Sequence, residues 1–493
     1  MSLAGKAARG AVWTILSSIG GRAIGVAGTL IITRYLDPDA VGDVGTAMVL
    51  VLTVQWLTSL GFGQYVIVRG RDEHAAEVIW HASLASLVLG LGGLGLLSVG
   101  ALVAQHVFDV DGFAKFIPVL CIAIGVRRLS AIPEKLLVQR LQFKAIALTQ
   151  TLGEMTYAGT TIYFAYNGHG AWSVAYGNIA QYTLVTVIIL AAVGTKDWTT
   201  PMPWSWKRFR DMLHFGLPLA AESVLHMGAR YWDNVMIRGL FGATPTGLYN
   251  LAYNLADIPA VHVGEQIGMV LLPSLASMPR ERRPRAFERA TALLSIIIFP
   301  LALGLGAVSN TLIHFVLSEE WQDVAPLLTV LAVLSIFRPI GWVVSSYLQA
   351  QERNRPLMYL EMIKLVCLLG GIAALSPFGV QAAACAVGLA FAINAVLGVW
   401  LVLRNGPRPR VLIEGFIRPL IASGIMAAAV LGMRFSLKSY GLEHPGILLI
   451  AEIVVGALVY VPVALLICRD TARDLLNVLR ELRKRRSGGA AAS

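Results

Sequence analysis

The sequence predicts an all-α integral membrane protein with about fourteen transmembrane helices: two six-helix lobes plus two further helices. Three observations predict it. Hydrophobic residues make up 56% of the 493-residue chain and charged residues only 14%, against roughly 25% charged in a soluble domain. A water-exposed surface of this size cannot be covered with so little charge. Fourteen mostly apolar runs reach the roughly 20 residues that a bilayer crossing needs. The basic residues gather on alternate connections between those runs, as the positive-inside rule requires. The same composition, with a mean hydropathy of +0.68, excludes a disordered chain, a collagen or a disulfide scaffold.

The runs are 11–33, 44–66, 79–104, 116–138, 144–166, 172–194, 212–239, 246–273, 289–315, 322–349, 357–376, 379–403, 413–435 and 446–468. Span 1 follows Lys6 and Arg9 and resembles a signal peptide. It is too long for the apolar region of one and contains Arg22, so it reads as a retained helix. Spans 1 to 6 form an N-terminal lobe, 1–194. The connection 195–211 (TKDWTTPMPWSWKRFRD) is a cytoplasmic linker near mid-chain, and spans 7 to 12 form a C-terminal lobe, 212–403. Spans 13 and 14 occupy 413–468, and a basic tail fills 469–493. From Asp470 the tail reads as a capped helix with Leu475, Leu476, Leu479 and Leu482 on one side, followed by Arg480, Arg483, Lys484, Arg485 and Arg486. Such a helix suits an anionic membrane surface. No nucleic-acid-binding fold or aromatic platform accompanies it.

Of the 40 Lys and Arg residues, 28 fall on one set of connections and the tail, and four (Arg34, Lys115, Arg238 and Lys438) on the other. That asymmetry predicts an even number of spans with both termini cytoplasmic. The remaining eight lie within spans. The two halves also resemble each other. A shift of 205 residues places Leu36-Asp37-Pro38-Asp39-Ala40-Val41-Gly42 on Phe241-Gly242-Ala243-Thr244-Pro245-Thr246-Gly247, with span 1 on span 7 and span 6 on span 12. A shift of 211 places Arg127 on Arg338. Six spans per repeat is an even number, so the repeats run in the same direction, related by an axis along the membrane normal.

Ionisable groups inside a bilayer are costly and mark candidate sites. At 100° per residue, Glu222, His226, Arg230 and Asp233 form one stripe on span 7, and Asn250, Asp257 and Glu265 form another on span 8. Span 1 carries Thr14, Ser18 and Arg22 on one side, span 5 carries Gln150 and Glu154, and span 10 carries Arg338, Trp342, Ser345 and Gln349. Several familiar motifs carry nothing here. Gly90-Leu91-Gly92-Gly93-Leu94-Gly95 matches GxGxxG but lies within an apolar helix with no preceding strand, so small-residue helix packing explains it. No P-loop, HExxH or CxxC pair occurs. A metal, a nucleotide cofactor and disulfides are therefore not expected, and the four cysteines read as small core residues.

Two stretches resemble a known family. GAVWTILSSIGGRAIGVAGTLIITRYLDPDAVGDVGTA is similar to the first two helices of bacterial polysaccharide (Wzx-type) flippases, and RYWDNVMIRGLFGATPTGLYNLAYNLADIPAVHVGEQIGMVLLPSLASM to their seventh and eighth. Those flippases belong to the multidrug/oligosaccharidyl-lipid/polysaccharide exporter superfamily. The resemblance implies a V-shaped pair of lobes around a cavity in the bacterial inner membrane. It also implies transfer of a lipid-linked oligosaccharide (an O-antigen, capsule or exopolysaccharide repeat unit) to the outer leaflet, alongside a polysaccharide polymerase and chain-length proteins. The substrate's diphosphate would then need cations. Arg22 and Arg230 are the first candidates, with Arg127, Arg338 and His226 behind them, because the guanidinium fork suits phosphate oxygens. Asp233, Glu222 and Asp257 are candidates for proton or sodium coupling. Against this stands internal pairing: Arg230 with Asp233, Arg127 with Glu134, Glu361 with Lys364. Other readings are a multidrug or peptidoglycan-precursor transporter, or a membrane polymerase or ligase. The last would need a large external loop with catalytic groups, which the short connections do not offer.

Overall fold

The computed structural model describes residues 28, 30–69, 75–108, 112–140, 142–194, 196–259, 271, 275, 278–351, 353–404, 407–439 and 444–474. Among them every regular element is helical. Ten helical stretches are long and apolar enough to cross a membrane, and the protein is a multi-pass membrane protein. Span 1, apart from its last residues, and the tail from 475 lie outside the described residues.

The chain divides into two compact units, Met1–Asn250 and Leu251–Ser493. In the first, span 2 is two helices, α1 (Pro38–Leu57) and α2 (Phe62–Arg69). Asp37 caps α1 by accepting from the Ala40 amide at 2.8 Å, and Pro38 fills the first turn, where its missing N–H is not needed. The α1–α2 break passes through Leu60 and Gly61, both at positive φ. α3 (Ala75–Phe108) is span 3. Span 4 divides into α4 (Ile117–Leu129) and α5 (Ala131–Gln139) at Ser130. α6 (Phe143–Tyr166) and α7 (Trp172–Val193) follow, then a single turn, α8 (Lys196–Thr199). α9 (Trp206–Phe241) is span 7, capped by Ser205. α10 (Ala243–Pro259) opens span 8.

The second unit contains α11 (Arg283–Val316), α12 (Val324–Leu334), α13 (Arg338–Ala350), α14 (Asn354–Leu375), α15 (Val380–Leu403), α16 (Pro409–Ser439) and α17 (Pro445–Ile467). Spans 4 and 10 both break midway and restart with proline near the new N-terminus, Pro133 in α5 and Pro339 in α13. Proline cannot donate to the preceding turn, so a restart is where it is tolerated. α6 and α9 are long helices outside the ten apolar stretches, and α9 is the more polar of the two.

Each unit has its own apolar core. Phe62, Val66, Val78, Leu136 and Ile189 pack together in the first, and Phe287, Ile298, Val343, Tyr347 and Leu360 in the second. Large apolar side chains are also turned outward, among them Val88, Leu96, Val396, Leu458 and Leu466. That surface suits lipid, not water.

Candidate functional site

The polar stripe of α9 contributes the first group of side chains. Asp233 is fully buried. Its Oδ1 accepts from the Asn234 backbone N–H at 2.8 Å and from Asn234 Nδ2 at 3.1 Å, and its Oδ2 accepts from the Tyr249 hydroxyl at 2.6 Å. Asn250 Nδ2 extends the network by donating to Asn234 Oδ1 at 3.0 Å. In each of these bonds the carboxylate oxygen accepts. Asp233 and Asn250 lie on the two predicted stripes, which this network joins. Tyr249 and Asn234 are not on either stripe, and only the packing of α9 against α10 reveals them.

Arg230 and His226 lie one and two turns before Asp233. Arg230 is half-buried and lies over the Tyr231 ring at 5.7 Å, and His226 is exposed. The Glu222 side chain, and all of Arg22 and Glu265, lie outside the described residues.

Arg127 and Arg338, the pair matched by the repeat, both have carboxylate partners. Arg127 pairs with Glu134 across the α4–α5 break and donates to Ser130 Oγ at 2.6 Å. Arg338 is 6% exposed, pairs with Asp257, and lies over the rings of Tyr253 at 4.7 Å and Phe391 at 4.8 Å. On the neighbouring helix Lys364 pairs with Glu361 at 2.5 Å and also lies over Phe391, at 5.3 Å. Two cations and two anions thus share one aromatic wall in the second unit. The Arg127 and Lys364 pairs are legible from spacing on one span. Arg338 and Asp257 are 81 residues apart, and no local spacing connects them.

Arg128, beside Arg127, has another task. It is buried and donates to the Ser86 carbonyl at 3.1 Å, to Gln55 at 3.1 Å and to Thr58 at 2.7 Å. It therefore holds the C-terminal end of α1 to α3 and α4. A Cβ at Gly90 would stand 2.3 Å from Arg128 Nε. The glycine that begins the GxGxxG match leaves room for this arginine.

The repeated motif meets its own copy. A Cβ on Gly42 would stand 2.2 Å from the Ala243 carbonyl oxygen, and one on Gly247 would stand 1.9 Å from that of Pro38. The two contacts exchange under the shift of 205, and Thr244 hydroxyl donates to Asp39, its own equivalent. Arg238 closes the edge by donating to Asp43 at 2.8 Å. Only glycine permits such backbone approach, which explains Gly42 and Gly247 within the repeat. Among the described residues no group of three or more His, Cys, Asp or Glu could hold a metal.

Comparison with known proteins bears on the family and the fold. A family model described as polysaccharide biosynthesis protein matches residues 31–326, more than half of the chain. The succinoglycan biosynthesis transport protein ExoT of Rhizobium meliloti is 24% identical, with 97% of each chain covered. The lipopolysaccharide biosynthesis protein WzxC of Escherichia coli is 26% identical, with 72% of each covered. Among solved structures, the lipid II flippase MurJ in an inward closed conformation superposes with a TM-score of 0.74 at 15% identity, over 93% of this chain and 99% of MurJ. An inward-facing multidrug MATE transporter of the MOP superfamily gives 0.61 at 16%, over 77% and 94%.

Proposed function

We propose that this chain, which belongs to the polysaccharide biosynthesis protein family, is a flippase for a polyprenyl-diphosphate-linked oligosaccharide. It carries an O-antigen, capsule or exopolysaccharide repeat unit from the inner to the outer leaflet by alternating access. Fourteen spans, two six-helix lobes and cytoplasmic termini complete the reading. The observation that carries it is the end-to-end likeness to a succinoglycan transport protein. Among the relatives, ExoT is named a transport protein and Agl15 of Haloferax volcanii a probable flippase, so a polymerase or ligase is set aside.

In this reading Arg230 and Arg22 contact the diphosphate, with His226 at the rim. Arg127 and Arg338 exchange a carboxylate for phosphate as substrate arrives, which keeps each guanidinium compensated throughout. Asp233, Glu222 and Asp257 couple a proton or sodium gradient to the transition. Support for Asp233 is its burial and its bond to the Tyr249 hydroxyl on α10. The reciprocal Gly42–Gly247 contact closes the outer side, since it lies at the ends of α1 and α10 remote from the basic connections. Anionic lipids hold the basic surface, and a polymerase with chain-length proteins receives the product.

The fold of a lipid II flippase favours a second reading, a peptidoglycan-precursor flippase. Depleting the protein in its native cell separates the two. Complete polysaccharide repeat units should accumulate on lipid carriers at the cytoplasmic face. Accumulation of the peptidoglycan precursor instead selects the second reading. Unpolymerised units on the outer face contradict both.

A further inference from the structure

Spans 13 and 14 lie outside the repeat, and one of them brings an arginine to a cavity that the flippase reading does not use. The cavity, about 510 Å³, is lined by Asn310, Ala325, Pro326, Thr329, Val330, Gln381 and Arg434. Its lining places it in depth. Asn310 lies six residues before the end of α11, Pro326 and Gln381 lie in the first turns of α12 and α15, and Arg434 lies five residues before the end of α16. At 1.5 Å per residue these positions are within about 10 Å of the helix ends. Those are the ends remote from the arginine-rich connections around 280–289 and 404–410. The cavity therefore opens at the depth of lipid headgroups.

Its chemistry is that of an anion site. The lining offers one guanidinium and two side-chain amides, and no carboxylate. Arg434 is held from behind. Its Nη1 donates to the Ala307 carbonyl at 3.3 Å, and its Nε stands 3.9 Å from Oε1 of the fully buried Glu452, on α17. Thr311 donates to the same carboxylate oxygen at 2.8 Å. Glu452 thus supplies a counter-charge to the guanidinium and is not part of the cavity lining. Arg434 Nη2 has no hydrogen-bond partner among the described residues. A buried carboxylate that orients a cation toward a polar opening is an arrangement for receiving a second anion.

We propose that this cavity binds the phosphate of a membrane lipid in the outer half of the bilayer, with Arg434 as its principal ligand and Asn310 and Gln381 as flanking donors. The site stands apart from the polar stripe of α9 and from the Arg338 group, and it does not depend on what the protein transports. Two lipids carry the required phosphate: a glycerophospholipid of the surrounding membrane, and a polyprenyl phosphate.

The test is binding to the purified full chain by native mass spectrometry. Phosphatidylglycerol is compared with diacylglycerol of the same tails, and polyprenyl phosphate with its alcohol. Each phosphate probe that uses the site should bind more tightly than its phosphate-free control. Arg434→Gln should reduce that preference about tenfold, the scale of one lost charge-assisted contact. Glu452→Gln should increase it, because the guanidinium loses its compensating charge. A merely structural pair would weaken folding in both variants and leave the preference unchanged, which overturns the proposal. Should Arg434→Gln fail to fold, the surface variants Asn310→Ala and Gln381→Ala serve instead, and unchanged binding in both overturns it equally. The probe whose preference falls identifies the source of the phosphate.

Discussion

A guanidinium in the middle of a membrane helix costs several kcal/mol unless it faces water, a counter-charge or a ligand. Arg127, Arg338 and Arg128 show three solutions: a carboxylate on the same span, a carboxylate on a distant helix, and backbone carbonyls at a helix break. Sequence exposes the first, because Glu134 lies seven residues from Arg127 on one helix. It does not expose the other two, because both partners come from packing. Likewise Asp233 is legible as a buried carboxylate on the α9 stripe, whereas its Tyr249 donor is not. Tyr249 belongs to a different helix, and its hydroxyl has no periodic signature. Replacing Asp233 by Asn keeps the shape and removes the charge. In reconstituted vesicles this variant should bind substrate but lose the dependence of flipping on proton and sodium gradients. Full flipping with unchanged dependence would remove Asp233 from coupling.

Spans 4 and 10 each break beside an arginine. α4 stops at Ser130 beside Arg127, and α12 ends in a 3-10 turn immediately before Arg338. Hydropathy alone reads each as one continuous span, since a one-residue or three-residue interruption barely changes the mean. The prolines that restart α5 and α13 are the visible clue. Burial makes the Arg338–Asp257 pair asymmetric in its response to mutation. Arg338→Met alone leaves an uncompensated buried carboxylate and should destabilise by about 3–5 kcal/mol. The double variant Arg338→Met with Asp257→Leu should recover most of it, as read from thermal unfolding in detergent. Equal losses in the single and double variants would show that the pair is not coupled.

The self-matching contact at Gly42 and Gly247 also belongs to this scale. Its reciprocity under the shift of 205 gives the weak sequence repeat a physical basis, since two copies of one turn meet and each needs a glycine. Gly247→Val would drive a side chain into the Pro38 carbonyl. The expected result is faster hydrogen exchange at the amides of 38–44 and 243–249, and flipping reduced at least tenfold. Unchanged exchange would mean that the turns separate without cost.

For the whole molecule, composition already determines the class. Sparse charge, long apolar runs and alternating basic connections specify a multi-pass helical membrane protein before any contact is known. The net charge of +11 says little about substrate, because most basic residues decorate connections and the tail. The informative charges are those within spans, and the structure sorts them. Arg128 is structural, Arg127, Arg338 and Lys364 are paired with carboxylates, and Arg434 is aimed at a cavity in the second unit. Arg230, on the stripe that leads to Asp233, is the cation proposed first for the substrate. The most direct measurement is therefore flipping of a fluorescent polyprenyl-diphosphate oligosaccharide in vesicles holding the purified chain. Wild type should move it, a polyprenyl-linked oligosaccharide lacking the diphosphate should not move, and Arg230→Gln should lose about ten- to a hundredfold in rate with an unchanged unfolding temperature. Equal transport of both lipids, or an undiminished rate in Arg230→Gln, would contradict recognition of the diphosphate by this arginine.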